Sequence, residues 1–162
     1  ATVKGRKLVD IIDGAITYVR LRDAIENINS VVGELNEYVK RYFEDRQRGK
    51  DVRFDYDLSK IDRALEDIEQ LEEAKDRLLA LEDVVIDDID RFFEGLPRMK
   101  AFLLYAKALY YFDRNDRRAL NFIEEASRID PAYREVAVVM NLALEPRMEE
   151  VECILREAGV IA

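Results

Sequence analysis

Two runs of carboxylates are the residues of this sequence best suited to chemistry. The first run is Glu69, Glu72, Glu73 and Asp76, and the second is Asp83, Asp87, Asp88 and Asp90. Carboxylates three or four positions apart share one face of a helix, and Mg²⁺ prefers oxygen ligands of this kind. A divalent-cation site is therefore one hypothesis for this chain.

Paired carboxylates on helices resemble the acidic pairs of the all-α nucleotide pyrophosphohydrolases. In that family the pairs come from separate helices that converge on one metal. Here both runs fall on one predicted helix and lie more than about 20 Å apart, so they cannot share a metal within one subunit. Acidic runs on a long helix are usually solvated. We predict no metal ligand and no cofactor, and keep a metal-dependent pyrophosphohydrolase as the alternative function.

Other catalytic arrangements find no residues to support them. The chain has no histidine and one cysteine, Cys153, which excludes Cys–His catalysis, internal disulfides and the usual zinc ligand sets. Because Cys153 stands among apolar residues at helical spacing, we expect it to be a small core residue. We therefore predict no catalytic residues and favour a non-enzymatic protein.

The stretch from Arg98 to Pro131 organises the rest of the sequence. Apolar residues recur at helical spacing on both sides of a polar turn, Asp113 to Asp116. Asp116 is placed to cap the second helix, and Asp130 followed by Pro131 repeats the signal for a helix start. The stretch therefore predicts two short helices joined by a turn.

This helix pair resembles a tetratricopeptide (TPR) unit, a 34-residue helix–turn–helix repeat with small residues at the helix contact and a terminal proline. With Pro131 at the proline position, the packing positions hold Leu103, Ala106, Tyr110, Ala119, Ile123 and Ala126. Lys107 and Arg114 stand where the family has a small residue and a glycine. The resemblance covers one repeat and implies a helical protein-binding module.

Helical periodicity also covers the sequence before this pair. Apolar residues from Leu8 to Tyr42 predict one helix, with Asn27 to Ser30 as the place for a bend, and Gly49 as a cap beyond it. Residues 50–57 form a linker in which Phe54 and Tyr56 anchor a loop. Residues 58–96 carry an apolar stripe with a coiled-coil-like period, which predicts one long acidic helix that Gly95 and Pro97 end.

The remaining sequence extends the helical array. Residues 133–144 are apolar almost all round, which predicts a central buried helix, and residues 147–158 predict a capping helix. The expected fold is all-α, with an antiparallel N-terminal helical hairpin packed on a short TPR-like array. Its parts are residues 1–57, the helix over 58–96 and the helix pairs over 97–162, together one compact domain.

The charge distribution bears on partners and location. The net charge is −9, and residues 58–96 contribute 13 acidic against 5 basic groups. Phosphate-backbone binding needs basic surface, so we expect no nucleic-acid partner. No apolar run is long enough to span a bilayer, which predicts a cytoplasmic protein without a membrane partner. Arginine outnumbers lysine 18 to 8, and this charge-rich composition is typical of a thermophilic source.

Two surfaces are candidates for binding another protein. The resemblance to TPR units implies a concave face on the first helix of the pair, with Leu104, Ala108, Tyr111 and Phe112. Leu104 and Ala108 stand where carboxylate-clamping modules carry polar residues, so coverage by the chain's own helices is the favoured reading of this face. The second candidate is the acidic set Asp83, Asp87 and Asp90. A homodimer through a leftover apolar edge is a further hypothesis.

Overall fold

The computed structural model describes residues 1–82, 84, 86–144 and 148–161, with the backbone alone for residues 148–150. Its helices are α1 Leu8–Gln47, α2 Leu58–Glu73, α3 Lys75–Leu79, α4 Ile89–Phe112, α5 Arg118–Ile129, α6 Arg134–Ala143 and α7 Met148–Glu157. A 3₁₀ turn, Pro131–Tyr133, precedes α6. The predicted all-α class is confirmed. No helix within the described residues is both long and apolar enough to cross a membrane.

A small β-hairpin precedes α1 and was not expected from the sequence. Strand β1, Thr2–Val3, pairs antiparallel with β2, Arg6–Lys7. The two turn residues, Lys4 and Gly5, both have positive φ, which matches the twist of a two-residue hairpin loop. The Arg6 guanidinium donates a hydrogen bond to the Glu82 carbonyl. That bond holds the hairpin against the segment that precedes α4.

Helix α1 runs unbroken for 40 residues, so the break considered at Asn27 to Ser30 is absent. Gly49 ends it with φ +79°, as the sequence predicted, and its N–H reaches the Arg46 carbonyl. Helix α2 runs antiparallel to α1, because Asn27 donates to Asp67 while Glu34 pairs with Lys60.

The linker over residues 50–57 packs through its aromatic residues, as predicted. Phe54 is fully buried and Tyr56 nearly so. The Phe54 ring meets the rings of Tyr38 and Tyr42 edge-on, with centroids 5.1 and 5.2 Å away. Edge-to-face pairs of this kind add to the free energy of burial. The linker is therefore part of the core.

The single helix predicted over residues 58–96 is wrong. The structure divides the described residues of this stretch into α2, the five-residue α3, the non-helical residues 80–82, 84 and 86–88, and the start of α4. Two features explain the break: Val84 and Ile86 are β-branched and weaken a helix, and Asp88 adopts a left-handed conformation with φ +65°. The apolar residues keep their helical spacing in the sequence across this segment, although the helix itself is interrupted.

The predicted stop at Gly95 and Pro97 is also wrong, since α4 continues through both residues. A proline inside a helix costs about 3 kcal/mol. Pro97 is exposed, while Leu96 and Ala101 on either side of it are buried. Burial of the helix on both sides of the proline offsets the lost hydrogen bond.

Helices α4 and α5 make the most extensive helix contact of the described chain. Both helices carry fully buried alanines: Ala101, Ala106 and Ala108 on α4, and Ala119 and Ala126 on α5. Asp130 accepts a hydrogen bond from the Ala132 N–H, as the sequence predicted for this cap. Asp116 accepts from the Arg118 N–H, but the N-cap residue of α5 is Arg117, so Asp116 lies one position before the cap rather than at it. Side chains without bulk let two helix backbones approach closely.

The C-terminal helices are more exposed than the sequence indicated. Helix α6 buries Ala137 and Met140, but Val138, Val139 and Leu142 are about three-fifths exposed, so it is not a central helix. The prediction from all-round apolarity is wrong because, among the described residues, α6 packs mainly on α5 and the turn before it, which leaves its other faces exposed. Cys153 on α7 is exposed, so the expectation that it is a small core residue is wrong.

Candidate partner-binding site

An apolar pocket of about 180 Å³ lies where α1, α3 and α4 meet. Its lining comes from four parts of the chain: Tyr18 and Ile25 on α1, Leu78 on α3, Ile86 to Asp88 before α4, and Ile89, Phe92 and Phe93 on α4. Tyr18, Ile25 and Phe92 are half-buried, so apolar surface reaches the opening. The pocket offers an apolar interior next to two carboxylates.

The segment over residues 80–88 positions the acidic rim. Ile86 donates its N–H to the Leu81 carbonyl, and the Glu82 carboxylate accepts from the Asp90 N–H at 3.0 Å. Glu82 thereby satisfies one of the free N–H groups in the first turn of α4, which the Asp88 side chain leaves uncapped. Both Asp87 and Asp88 are left exposed at the mouth of the pocket.

The electrostatics of this region favour a cation. Residues 82–94 contain six acidic groups and one basic group, Arg91. A second cation, Lys75 on α3, lies near the pocket, with its ammonium 5.8 Å from the ring centroid of Phe93. Because both Asp87 and Asp88 are exposed, their charges act on an approaching partner and weaken as salt rises. The exposed charge at the mouth of the pocket is therefore negative.

The size of the pocket limits its occupant. Pockets for drug-sized ligands measure roughly 300–1,000 Å³, well above the 180 Å³ found here. A cavity of this size fits a single side chain. Its chemistry suits one apolar side chain with a basic group beside it.

The structure places the predicted acidic residues at this site in part. Asp87 lines the pocket, and Asp90 is exposed in the first turn of α4. Asp83 lies outside the described residues. Glu66, Glu69 and Glu73 on α2 are exposed, as expected for a solvated helix face.

The predicted concave face on α4 is covered by the chain itself. Leu104 and Ala108 are 4% and 0% exposed, so they offer almost no surface to a partner. Helix α2 lies across them: Lys107 pairs with Asp62 at 2.6 Å and Lys100 with Glu72 at 3.7 Å. The covered reading of this face is the correct one, and Leu104 and Ala108 are withdrawn from the partner-binding set.

The aromatic half of that face packs within the helix pair. Tyr111 stacks on Phe122 of α5 with ring centroids 5.5 Å apart, and Phe112 is half-buried. Tyr105 meets Tyr133 at 5.0 Å. Burial, and then the neighbouring Tyr133, raise the pKa of Tyr105 to about 12. These rings join α4 to the elements that follow it.

The carboxylates of the described residues form no group of three or more that could hold a metal ion together. The first acidic run lies on α2 and α3. Of the second run, Asp87 and Asp88 precede α4, Asp90 lies in its first turn, and Asp83 is outside the described residues. The pyrophosphohydrolase alternative therefore has no supporting geometry in the described part of the chain.

Sequence reasoning found the acidic rim but missed the apolar interior. Tyr18 and Ile25 lie about seventy residues before Phe92 and Phe93, and only the packing of α1 against α3 and α4 brings the two pairs together. One local signal was available: Asp87 and Asp88 follow a β-branched run and precede a new apolar stripe, a pattern typical of a helix start.

Comparison of the chain with protein-family models, with curated proteins and with solved structures found no match.

Proposed function

We propose that this chain is a non-enzymatic protein-interaction module that binds a basic peptide segment at the pocket between α1, α3 and α4. The partner inserts one apolar side chain, and an adjacent arginine or lysine pairs with Asp87 or Asp88. The observation that carries the proposal is the apolar pocket with two exposed carboxylates at its mouth. Burying an apolar anchor supplies affinity, and the charge pair supplies orientation and speed of association.

The experiment is a selection from a random peptide library displayed on phage, with the full chain as bait. We expect enrichment of sequences that place a bulky apolar residue next to arginine or lysine. The best peptide is then synthesised and its affinity measured by fluorescence anisotropy at two salt concentrations. Higher salt should weaken binding, because exposed charges are screened over about 10 Å at 0.1 M.

Two variants make the test specific. The double variant Asp87→Asn with Asp88→Asn should lower the affinity of the selected peptide at least about fivefold, and Phe92→Ala should abolish measurable binding. Glu124→Gln removes one exposed charge from α5, far along the chain, and should leave affinity unchanged. Enriched peptides without basic residues, or peptides that bind all variants equally, would contradict the proposal.

We further propose that the α1–α2 hairpin supports a TPR-like arrangement of α4, α5 and α6. Support comes from the fully buried alanines, Ala119 and Ala126, at positions where the TPR pattern has small residues. Ile123 is fully buried between them. The repeat resemblance and the burial pattern agree on which face of α5 is inside.

Ala126→Leu tests this packing. Three extra heavy atoms at a fully buried position force α4 and α5 apart, so we expect a loss of about 1–3 kcal/mol in the free energy of unfolding. Glu124→Leu introduces the same side chain at an exposed position of α5 and should change stability little. Urea unfolding followed by circular dichroism measures both. Equal stability of the two variants would remove the TPR-like packing.

A further inference from the structure

The first half of α1 carries a second apolar face that no other part of the described chain covers. Val9, Ile12, Ile16 and Val19 are 67%, 51%, 54% and 68% exposed. On the opposite side of the same turns, Ile11, Gly14 and Thr17 are buried. At 3.6 residues per turn these two sets point in nearly opposite directions. We refer to Val9, Ile12, Ile16 and Val19 as the N-terminal stripe.

The spacing within the N-terminal stripe is that of a coiled-coil seam. Its four residues are separated by three, four and three positions, which is the spacing of apolar residues that face a partner helix. All four are β-branched, and isolated exposed valines and isoleucines would need no explanation, but four on one seam do. The pattern fits a helix as its partner.

The stripe is also symmetric about position 14. Read in either direction it is valine, isoleucine, isoleucine, valine with the same spacing. When two copies lie antiparallel with a two-fold axis beside position 14, Val9 meets Val19 and Ile12 meets Ile16 of the other copy. A two-fold interface requires this kind of self-complementary surface.

The charges beside the stripe fit the same arrangement. Asp13 and Arg20 are exposed and border one edge of the stripe. In the antiparallel pair, Arg20 of one copy lies about 7 Å along the axis from Asp13 of the other, within reach of an arginine side chain. Two symmetric ion pairs result. In a parallel two-fold pair this edge would face the opposite edge of the other copy, so Asp13 and Arg20 would not meet.

The surroundings leave the stripe accessible. Arg77 and Leu81 approach α1 at Gly14, on the buried side. The β-hairpin is tied to Glu82 by Arg6, which places it toward that same side. Leu8, 43% exposed, extends the apolar surface at one end. From these observations we infer that a second copy of this chain docks antiparallel on the N-terminal stripe and forms a two-fold dimer.

The length of the stripe sets the strength of the dimer. From Val9 to Val19 the helix rises about 15 Å. A contact of this length buries less surface than the roughly 800 Å² per partner of a standard interface. We therefore expect a dimer that dissociates on dilution. This inference is independent of the pocket, since Tyr18 and Ile25 lie on a different face of α1.

Sedimentation velocity over a range of protein concentrations tests the inference. The unaltered chain should shift from monomer to dimer as concentration rises. Ile12→Glu with Ile16→Glu should raise the dissociation constant about 100-fold or more, because each charge would be buried in an apolar seam. Both sites are half exposed, so the thermal midpoint should stay unchanged. Val138→Glu with Val139→Glu, on the exposed face of α6, is the matched control and should leave the dimer intact.

Disulfide trapping tests the direction of the two helices. In a Cys153→Ser background, Ile12→Cys and a size-tagged Ile16→Cys are mixed and oxidised. The antiparallel pair predicts the mixed disulfide as the main product, whereas a parallel pair predicts the two symmetric ones. Mainly symmetric products, a monomer at every concentration, or dissociation by the α6 control would each overturn the proposal. So would a monomer that instead sediments with phosphatidylcholine vesicles through the stripe.

Discussion

Asp113→Ala is expected to lower the free energy of unfolding by about 3 kcal/mol. The Asp113 carboxylate is 8% exposed and accepts three hydrogen bonds: from the Tyr42 hydroxyl at 2.8 Å, the Arg46 guanidinium at 3.0 Å and the Phe54 N–H at 2.9 Å. It thereby joins α1, the linker and the end of α4. Hydrogen bonds to a charged group contribute about 1.5–3 kcal/mol each, and unpaired buried donors add a cost.

Removal of the carboxylate leaves the Tyr42 hydroxyl and the Phe54 N–H without this acceptor, whereas the exposed Arg46 guanidinium still donates to the Tyr42 hydroxyl. Burial, and then the bond to Asp113, raise the pKa of Tyr42, so its hydroxyl stays protonated and needs an acceptor. Urea unfolding followed by circular dichroism measures the loss. Asp113→Asn keeps one acceptor oxygen and should lose less, while Asp51→Ala, at an exposed linker position, should lose almost nothing. A loss for Asp113→Ala no larger than that for Asp51→Ala would show that this junction does not hold the fold.

Alanine at the two glycines inside α1 should have opposite effects. A Cβ at Gly14 would lie 2.5 Å from the Arg77 carbonyl oxygen and 3.2 Å from the Leu81 side chain. The carbonyl belongs to the backbone of α3 and cannot rotate away, so α1 and α3 must separate. We expect Gly14→Ala to lose about 1–3 kcal/mol, as overpacking does.

Gly33→Ala is the matched control on the same helix. A Cβ at Gly33 meets no atom within 4 Å, and the gain in helix propensity is about 1 kcal/mol. The two variants should therefore differ by about 2–4 kcal/mol in thermal or urea unfolding, with opposite signs relative to the unaltered chain. Stabilisation by Gly14→Ala would mean that α1 and α3 do not approach closely.

Local patterns predicted those parts of the fold that depend on neighbouring residues. Gly49 ends α1, Asp130 caps the turn after it, and the aromatic linker residues are buried, all for reasons contained within a few positions. The local prediction is wrong where packing against residues distant in sequence outweighs the local preference. Pro97 lies inside a helix because the flanking turns are buried, and α6 is exposed because too few elements cover it.

For the candidate site as well, the sequence predicted the part that depends on a local pattern and not the part that depends on packing. Charge pattern alone indicated Asp87 and Asp90, because clustered carboxylates are visible in the sequence. The sequence did not reveal the apolar interior, because the helical spacing of Tyr18 is the same as that of the residues of α1 that are simply buried in the core. The resemblance to TPR units also implied a binding face that includes Leu104, which is buried. Amphipathic spacing identifies a face that is to be buried but does not identify what buries it.

The order in which the chain assembles follows from the way its helices pair. Helix α2 packs on α1, α5 on α4 and α6 on α5, so most of the packing joins elements adjacent in sequence. Such low contact order favours fast folding, since little loop-closure entropy opposes each step. The bond from Tyr42 to Asp113 instead spans 71 residues. We expect it to form after the folding transition state, so that weakening it accelerates unfolding and leaves the folding rate nearly unchanged.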